Sequence, residues 1–327
     1  MRLVQEDKKN KIEINKSALY LCIYNKISNI IRGKQFNKAR INYKQKIIGP
    51  QMYSYKVFRS LYLNQNTTLF YGEDGAVVVD PGVFPREMEE IEKFLKENNI
   101  SLKAILFTHT HGDHFSGWNY LPPAPLHAGS GIKQKNDERK ERDLLFIRKI
   151  FRSNKITSQR PILFPQNVQT LENGESLRVA GFDFFFYHVP GHAVDQTVIA
   201  VPQVKAACTG DMLIRSPYPF ILESVFQYRF SLSYMEKIFR EEKTEVVIPG
   251  HFSEAKGADI YSRLEKEEKY IDNIWKCLLD IYRPDISHKE LEERLLKIDG
   301  KKSEAHFTHK MNIHGILTEM DKVLFLK

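Results

Sequence analysis

Cysteine is scarce in this chain, with three residues in 327. Cys22, Cys208 and Cys277 lie far apart, are odd in number and form no C-x-x-C motif. This spacing argues against a disulfide framework and predicts reduced, mostly buried thiols, which are typical of a reducing compartment. We therefore expect a cytoplasmic protein.

Long apolar runs are missing as well. The apolar stretches, such as residues 184–186 with their neighbours, are far shorter than the roughly 20 apolar residues that a membrane-spanning helix requires. We interpret the amino terminus as having no apolar h-region of the signal-peptide type after its charges, so we expect neither a secretory signal nor a transmembrane segment. A mitochondrial transit peptide is disfavoured, because the basic first segment is rich in Lys, Asn and Ile rather than in Arg and Ser.

Several motifs of nucleophilic catalysis and nucleotide binding are absent from the sequence. The chain contains no G-x-S-x-G elbow, no G-x-x-x-x-G-K-[ST] loop and no G-x-G-x-x-G fingerprint. It also contains no internal repeat of 20–50 residues and no low-complexity tract. A chain of 327 residues without repeats indicates one large domain with an appendage rather than three small domains.

The positive charge of the chain is concentrated in one segment. The formal net charge is +8, but residues 1–50 carry 12 Lys and Arg against 3 Asp and Glu, whereas the remaining residues carry 37 against 38. The body of the protein is therefore close to neutral. We interpret residues 1–50 as a surface helix followed by a solvated tail, with binding to nucleic acid or another anionic partner as the alternative.

The chain divides into three parts by its apolar patterns. Strands are predicted for residues 55–63, 66–71, 76–79, 102–107, 182–189, 205–208 and 245–248. Helices are predicted for residues 85–98, within 131–155, at 260–282 and near 313–325. A further helix is predicted to begin at Ser287, because Ser287 and Glu290 have the spacing of a capping box. These patterns predict a basic amino-terminal extension (1–52), a catalytic domain (53–254) and a small carboxy-terminal helical region (255–327).

A dense group of metal-binding side chains follows the predicted strand at residues 102–107. Three imidazoles and one carboxylate occur within six residues, and three further groups follow later strands at glycine-marked turns. Loops at strand ends are common positions for functional side chains, because the scaffold beneath them is rigid. The predicted ligands are His109, His111, Asp113, His114, His192, Asp211 and His251.

These residue types indicate two adjacent metal ions. Two histidines separated by one residue in an extended turn point to the same side, so His109 and His111 can bind one cation, with His192 as the third nitrogen ligand. The second cation would take Asp113, His114 and His251. The two oxygens of Asp211 can bridge both ions.

The donor set also suggests the metal and the chemistry. Imidazole and carboxylate ligands without thiolate favour zinc, with iron and manganese as alternatives. A pair of ions about 3.5–4 Å apart can activate a shared hydroxide and polarise a scissile group, which predicts a hydrolase. We expect Asp113 to be a catalytic residue that orients the hydroxide and carries a proton to the leaving group, as well as a metal ligand.

At these seven positions the chain resembles the metallo-β-lactamase superfamily, over about residues 53–254. The resemblance implies an α+β fold, a four-layer αββα sandwich, with a dinuclear centre at one edge between the two sheets. It also implies that Asp80, in the turn Asp80-Pro81-Gly82, is a structural residue rather than a ligand. The Pro-Gly-His turns and the Gly-Asp pair are similar to those of the glyoxalase II and lactonase branch.

Differences between this chain and other branches of the superfamily limit which activity is predicted. Superfamily members that hydrolyse β-lactams have a cysteine or no bridging acid where this chain has Asp211, and flavin-linked diiron members have glutamate where it has His111. The residues that bind glutathione in glyoxalase II are not recognisable in the sequence, so a glutathione thioester is an analogy only.

We therefore predict a dinuclear hydrolase that cleaves a small thioester, lactone or related carboxylic ester. The alternative is a phosphodiesterase or ribonuclease of the same superfamily, which the basic residues in 1–50 and 133–155 favour and the lack of an inserted domain between Asp211 and His251 disfavours. A third possibility is a binding protein that acts through its basic terminus. Tyr218 could assist a substrate carbonyl, although an ordinary loop position is favoured. The other histidines are interpreted as structural: His127, His188, His288, His306, His309 and His314.

Overall fold

The computed structural model describes residues 53–157, 160–283, 285–298 and 306–324. Within these ranges the strands form two six-stranded sheets. The predicted basic extension, residues 1–52, lies outside the described residues, so its role stays a prediction.

The first sheet has the strand order β1-β2-β3-β4-β5-β6. Its strands are β1 (Ser54–Arg59), β2 (Asn66–Gly72), β3 (Gly75–Val79), β4 (Leu102–Phe107), β5 (Leu126–Gly129) and β6 (Gln169–Leu171). The first three strands pair antiparallel, whereas β3 to β6 pair in parallel. The parallel strands β3 and β4 therefore end at the same edge of the sheet.

The second sheet has the order β12-β11-β10-β9-β8-β7. Its strands are β7 (Ser176–Val179), β8 (Phe182–His188), β9 (Thr197–Val201), β10 (Ala206–Gly210), β11 (Val246–Pro249) and β12 (Ala255–Lys256). All neighbours pair antiparallel except β10 and β11, which are parallel. This parallel pair brings the residues that follow β10 and β11 to one edge.

Seven α-helices lie within the described ranges. They are α1 (Pro85–Glu97), α2 (Gly112–Phe115), α3 (Asp137–Ser153), α4 (Val225–Glu241), α5 (Ala258–Ile281), α6 (His288–Leu295) and α7 (Phe307–Leu324). The side chains of Asn136, Ser224 and Ser287 accept a backbone N–H and so cap α3, α4 and α6. No described helix combines the length and apolar composition that crossing a bilayer requires.

Three apolar layers hold the sheets and helices together. Between the sheets, Phe70 of β2 packs with Phe182 and Phe184, which alternate along β8. Outside the first sheet, α1 buries Met88 and Ile91. Each fully buried side chain of this size contributes roughly 1.5–3 kcal/mol.

Helices α4 and α5 cover the outer face of the second sheet, where Met235 and Ile271 belong to one buried cluster with Ala207. The layers are therefore helix, sheet, sheet and helix, and the predicted α+β, four-layer αββα sandwich is confirmed.

The carboxy-terminal helices share the core of the second sheet. Leu291 of α6 and Ile316 of α7 belong to the same buried cluster as Leu232 of α4. The predicted helical region is present, and it packs against the sandwich. The boundaries at residues 52 and 254 stay predictions.

Element boundaries differ from the sequence prediction in a few places. The first strand ends at Arg59 rather than at residue 63, because the following residues form a turn in which Leu63 and Asn64 have positive φ. Strands β5, β6, β7, β9 and β12 were not predicted. Cys208 and Cys277 are free thiols, as expected; Cys22 lies outside the described residues.

Candidate metal centre

The central segment follows β4 and leads directly into the short helix α2. His109 and His111 lie in the extended loop, and Asp113 and His114 lie in α2. Gly112 permits this turn, since a Cβ at that position would lie 2.7 Å from the backbone oxygen of Asp143 in α3. One continuous segment therefore directs its side chains to two neighbouring positions.

The remaining three predicted ligands come from the second sheet. His192 follows β8, Asp211 directly follows β10, and His251 follows β11 after Gly250. Close approach requires glycine before His251, because a Cβ on Gly250 would lie 2.5 Å from the His114 ring and 2.6 Å from the Asp211 carboxylate.

All seven predicted side chains meet at the edge between the sheets, in two groups. One group is His109, His111, His192 and Asp211, and the other is Asp113, His114 and His251. Within each group the candidate ligand atoms lie within 4.8 Å of one another. Six of the seven residues are buried, and His111 is half-buried. The first group is therefore the more exposed of the two.

The Asp211 carboxylate lies between the two groups. Its Oδ1 is 3.0 Å from His114 Nε2 and 3.3 Å from His251 Nε2. Its Oδ2 is 3.4 Å from His192 Nε2. One oxygen therefore faces each group, which is the arrangement that a bridging ligand requires.

Backbone carbonyls fix the direction of two of the imidazoles. His192 Nδ1 lies 2.6 Å from Phe220 O, and His251 Nδ1 lies 3.1 Å from Leu63 O. A carbonyl oxygen only accepts, so Nδ1 carries a proton in both rings, and Nε2 is the atom that faces the site.

Asp80 and Thr108 orient two further imidazoles from outside the site. Asp80 Oδ2 accepts from His114 Nδ1 at 3.1 Å and from the Thr108 hydroxyl at 2.6 Å. Because the Thr108 proton is used in this way, its oxygen accepts from His109 Nδ1 at 3.2 Å. Asp80 belongs to neither ligand group, and its contacts agree with the structural role that the resemblance implies.

Burial keeps the first group of imidazoles neutral. It holds the pKa of His109 and His111 well below the usual range and lowers the pKa of His192, and neighbouring imidazoles lower the first two further. A neutral imidazole is the form that binds a metal ion.

The carboxylates dominate the second group. Burial alone would lower the pKa of His114 and His251, but Asp211 and the other carboxylates raise the first well above its usual range and the second to about 10. Burial alone would raise the pKa of Asp113 and Asp211, but the histidines hold both below the usual value. The ionised carboxylates that attract protons here would equally attract a cation.

Two orphaned polar atoms show that a cation fits this site. His114 Nε2 and Asp211 Oδ1 are buried and form no hydrogen bond, although they are only 3.0 Å apart. Buried polar atoms are rarely left without a partner. A metal ion held by both atoms would satisfy them, so the donor chemistry and the geometry agree.

A buried ionic network that the sequence analysis missed holds the turn between the first two histidines. Asp195 Oδ2 accepts from Thr110 N at 2.8 Å and from its hydroxyl at 2.5 Å. Lys135 Nζ donates to Thr110 O at 2.6 Å and to Asp143 at 2.6 Å. All three polar groups of Thr110 are therefore held. No local motif marks these partners, of which Asp195 is 85 residues away.

The histidines interpreted as structural belong to neither ligand group. His188 Nε2 contacts Val194 O at 2.8 Å. His309 Nδ1 contacts the Tyr270 hydroxyl at 2.8 Å, and the ring of Tyr218 packs against these two residues.

Comparison with known proteins agrees with this geometry. The family model of the metallo-beta-lactamase superfamily matches residues 62–251. The chain belongs to the metallo-β-lactamase superfamily. It is thus a member of a superfamily of hydrolases and carries candidate His and Asp metal-binding groups.

Two proteins from other organisms are similar in sequence to this chain. Atrochrysone carboxyl ACP thioesterase of Aspergillus chevalieri is 25% identical over 187 residues, which are 57% of this chain and 50% of that protein. Hydroxyacylglutathione hydrolase of Prochlorococcus marinus is 27% identical over 223 residues, which are 66% of this chain and 71% of the hydrolase. The chain therefore spans only half of the length of the first relative.

Solved structures share the fold at lower identity. A metallo-beta-lactamase family protein from Thermus thermophilus has a TM-score of 0.58 at 20% identity, over 81% of this chain and 93% of that chain. This likeness concerns the fold alone.

Proposed function

We propose that this superfamily member is a dinuclear metallohydrolase that cleaves a carboxylic thioester, lactone or related ester. The observation that carries the proposal is the position of the Asp211 carboxylate, with one oxygen toward each ligand group. Relatives named as a thioesterase and as a hydroxyacylglutathione hydrolase support the carboxylic ester class.

His109, His111, His192 and Asp211 would hold one ion, and Asp113, His114, His251 and the other oxygen of Asp211 would hold the second. Zinc is the metal we propose first, with iron and manganese as alternatives. Two divalent cations would supply a water of lowered pKa as nucleophile and polarisation of the scissile carbonyl.

The protein contributes orientation, access and proton transfer. The anchored Nδ1 atoms hold each Nε2 in a fixed direction, which lowers the cost of assembling the site. Substrate would approach beside His111, because this is the most exposed of the seven ligands. Asp113 is ionised beside His251, with 3.5 Å between Oδ2 and Nε2, so Oδ2 can accept a proton and pass it to the leaving group.

The test is metal analysis of the purified protein combined with a substrate panel of thioesters, lactones, phosphodiesters and single-stranded RNA, with and without chelator. We expect two ions per chain and chelator-sensitive turnover of a carboxylic ester. Asp211→Ala and His114→Ala should lose metal and turnover, whereas His314→Ala, which changes an exposed histidine of α7, should retain both. Equal metal content in wild type and Asp211→Ala would contradict the bridging role.

A phosphodiesterase or ribonuclease remains the alternative proposal. Part of the basic character of α3 is used in ion pairs within the protein, because Arg139 pairs with Glu223 and Arg148 pairs with Glu141. The alternative therefore depends chiefly on residues 1–50. RNA binding that weakens steeply with ionic strength, together with RNA cleavage, would favour it. RNA binding lost on deleting residues 1–50, with ester turnover unchanged, would instead assign that segment to recruitment.

A further inference from the structure

The loop between β10 and α4 reaches the metal centre through Phe220. Its carbonyl oxygen accepts from His192 Nδ1 at 2.6 Å, and its ring stacks on the imidazole at 5.7 Å between centroids and 30° between planes. Phe220 therefore sets both the tautomer and the tilt of the His192 ring. The position of His192 Nε2 depends on how firmly this loop is held.

One side chain of the carboxy-terminal helix α7 holds the loop on both sides of Phe220. Asn312 Nδ2 donates to Pro219 O at 2.8 Å, and Asn312 Oδ1 accepts from Ile221 N at 3.3 Å. Asn312 is fully buried and its Nδ2 also lies 3.1 Å from the Tyr270 hydroxyl, so the amide is fixed in turn. The two amide atoms thus bracket Phe220, whose carbonyl oxygen holds His192 Nδ1.

Helix α7 also contacts this region at a second point that does not involve Phe220. Glu319 Oε2 accepts from Val225 N at 2.9 Å, at the first residue of α4. This contact stabilises the start of a helix rather than the loop at His192. It provides a natural comparison, because both side chains belong to the same helix.

We propose that Asn312 is a positioning residue for His192, and that α7 is part of the scaffold of the metal centre. The proposal rests on the proposed function, since it assumes that His192 binds a metal ion. Its physical reason is that a ligand imidazole binds well only when its outer hydrogen-bond partner is in place, and loss of such partners typically weakens metal affinity by about 10–100-fold. For His192 the outer partner is the backbone carbonyl of Phe220. Asn312, which holds the backbone on both sides of Phe220, therefore positions the imidazole indirectly.

The experiment is a zinc titration of the full chain in competition with a chromophoric chelator, for wild type, Asn312→Leu, Asn312→Ser and Glu319→Gln. Both Asn312 variants remove the bracket around Phe220, and only the leucine preserves the side-chain volume. We expect one of the two zinc-binding steps to weaken by about 10–100-fold in both variants, with the other step unchanged. Glu319→Gln should leave both steps as in wild type.

Urea unfolding of the metal-free forms separates positioning from a purely structural role. If both binding steps weakened in parallel with the loss of stability, or if Asn312→Leu and Asn312→Ser bound zinc as wild type does, the positioning role would be overturned. If Asn312→Leu did not fold, Asn312→Ser would decide by the same criterion. A wild-type chain that binds no zinc would instead refute the proposed function, which keeps the two failures distinct.

Discussion

Lys135 supports the metal centre with a charge that is almost completely buried. Its side chain is 1% exposed, and its ammonium lies 2.6 Å from Asp143 and 3.8 Å from Asp195. Replacing it with methionine preserves most of the volume but removes the cation. The perturbation therefore isolates the electrostatic part of the network.

The expected loss of unfolding free energy follows from the distances around Lys135. At 2.6 Å and an effective dielectric constant of about 20, the attraction between Lys135 and Asp143 is about 6 kcal/mol, and the loss of hydration of the two ions offsets most of it. Removing one partner is different, because Asp143 and Asp195 would remain buried without a cation. Burial already raises the pKa of Asp143, and Lys135 opposes this rise. We expect Lys135→Met to lower the free energy of unfolding by about 3–5 kcal/mol.

The assay is urea unfolding of the metal-free protein in a double-mutant cycle with Asp143→Asn. We expect the double variant to be more stable than the sum of the single effects predicts, by about 1.5–3 kcal/mol, because the two groups contact each other. Lys133→Met is the matched control, since Lys133 lies two residues before Lys135 but forms an exposed ion pair with Glu172. This substitution should change the free energy of unfolding by less than about 1 kcal/mol. Additive single effects, or equal losses for Lys133 and Lys135, would refute the reasoning.

Two further predictions concern pH and a glycine. Burial raises the pKa of Glu267 to about 8, whereas an unfolded glutamate titrates near 4.5. Between these values the unfolded chain releases a proton that the folded protein keeps, so this residue's contribution to stability falls as pH rises, by at most about 1.4 kcal/mol per pH unit, and levels off above about pH 8. Glu267→Gln should remove this slope in unfolding measurements at pH 5 and 8, and a slope as steep as that of the control Glu265→Gln would contradict the assignment. Gly191 has φ +137°, and a Cβ there would lie 2.4 Å from Tyr228 Cα, so Gly191→Ala should cost more than about 2 kcal/mol and weaken zinc binding at His192. Gly174→Ala, also at positive φ but with nothing within 4 Å, should cost less, and equal costs in chemical denaturation would argue against the steric clash.

The candidate ligands could be named from the sequence because their signal is local. Each predicted ligand lies in the loop or short helix that follows a strand, and the strand residues 102–107 were predicted with the boundaries that the structure has. The chemical identity of a ligand is carried by its own side chain, so imidazoles and carboxylates after apolar runs suffice to suggest a metal site. The structure adds that all seven residues meet at one edge.

Short strands were harder to predict than the ligands. Strand β9 (Thr197–Val201) is buried on both faces, so it shows no alternation of polar and apolar residues. Strand β6 (Gln169–Leu171) has only three residues, which is too short for any periodic signal. Pairing with neighbouring strands defines both elements.

The amino-acid sequence by itself determined the candidate donor atoms and the glycines that allow them to approach one another. It also determined the resemblance to a family whose fold is an αββα sandwich. Only the tertiary structure decided which groups hold those donors in place. Lys135 and Asp195 meet at Thr110, and Asn312 reaches Pro219 across 93 residues of sequence. The physical reason is that an outer hydrogen-bond partner needs only the correct position and one polar atom, so many residue types can serve and no local pattern marks them.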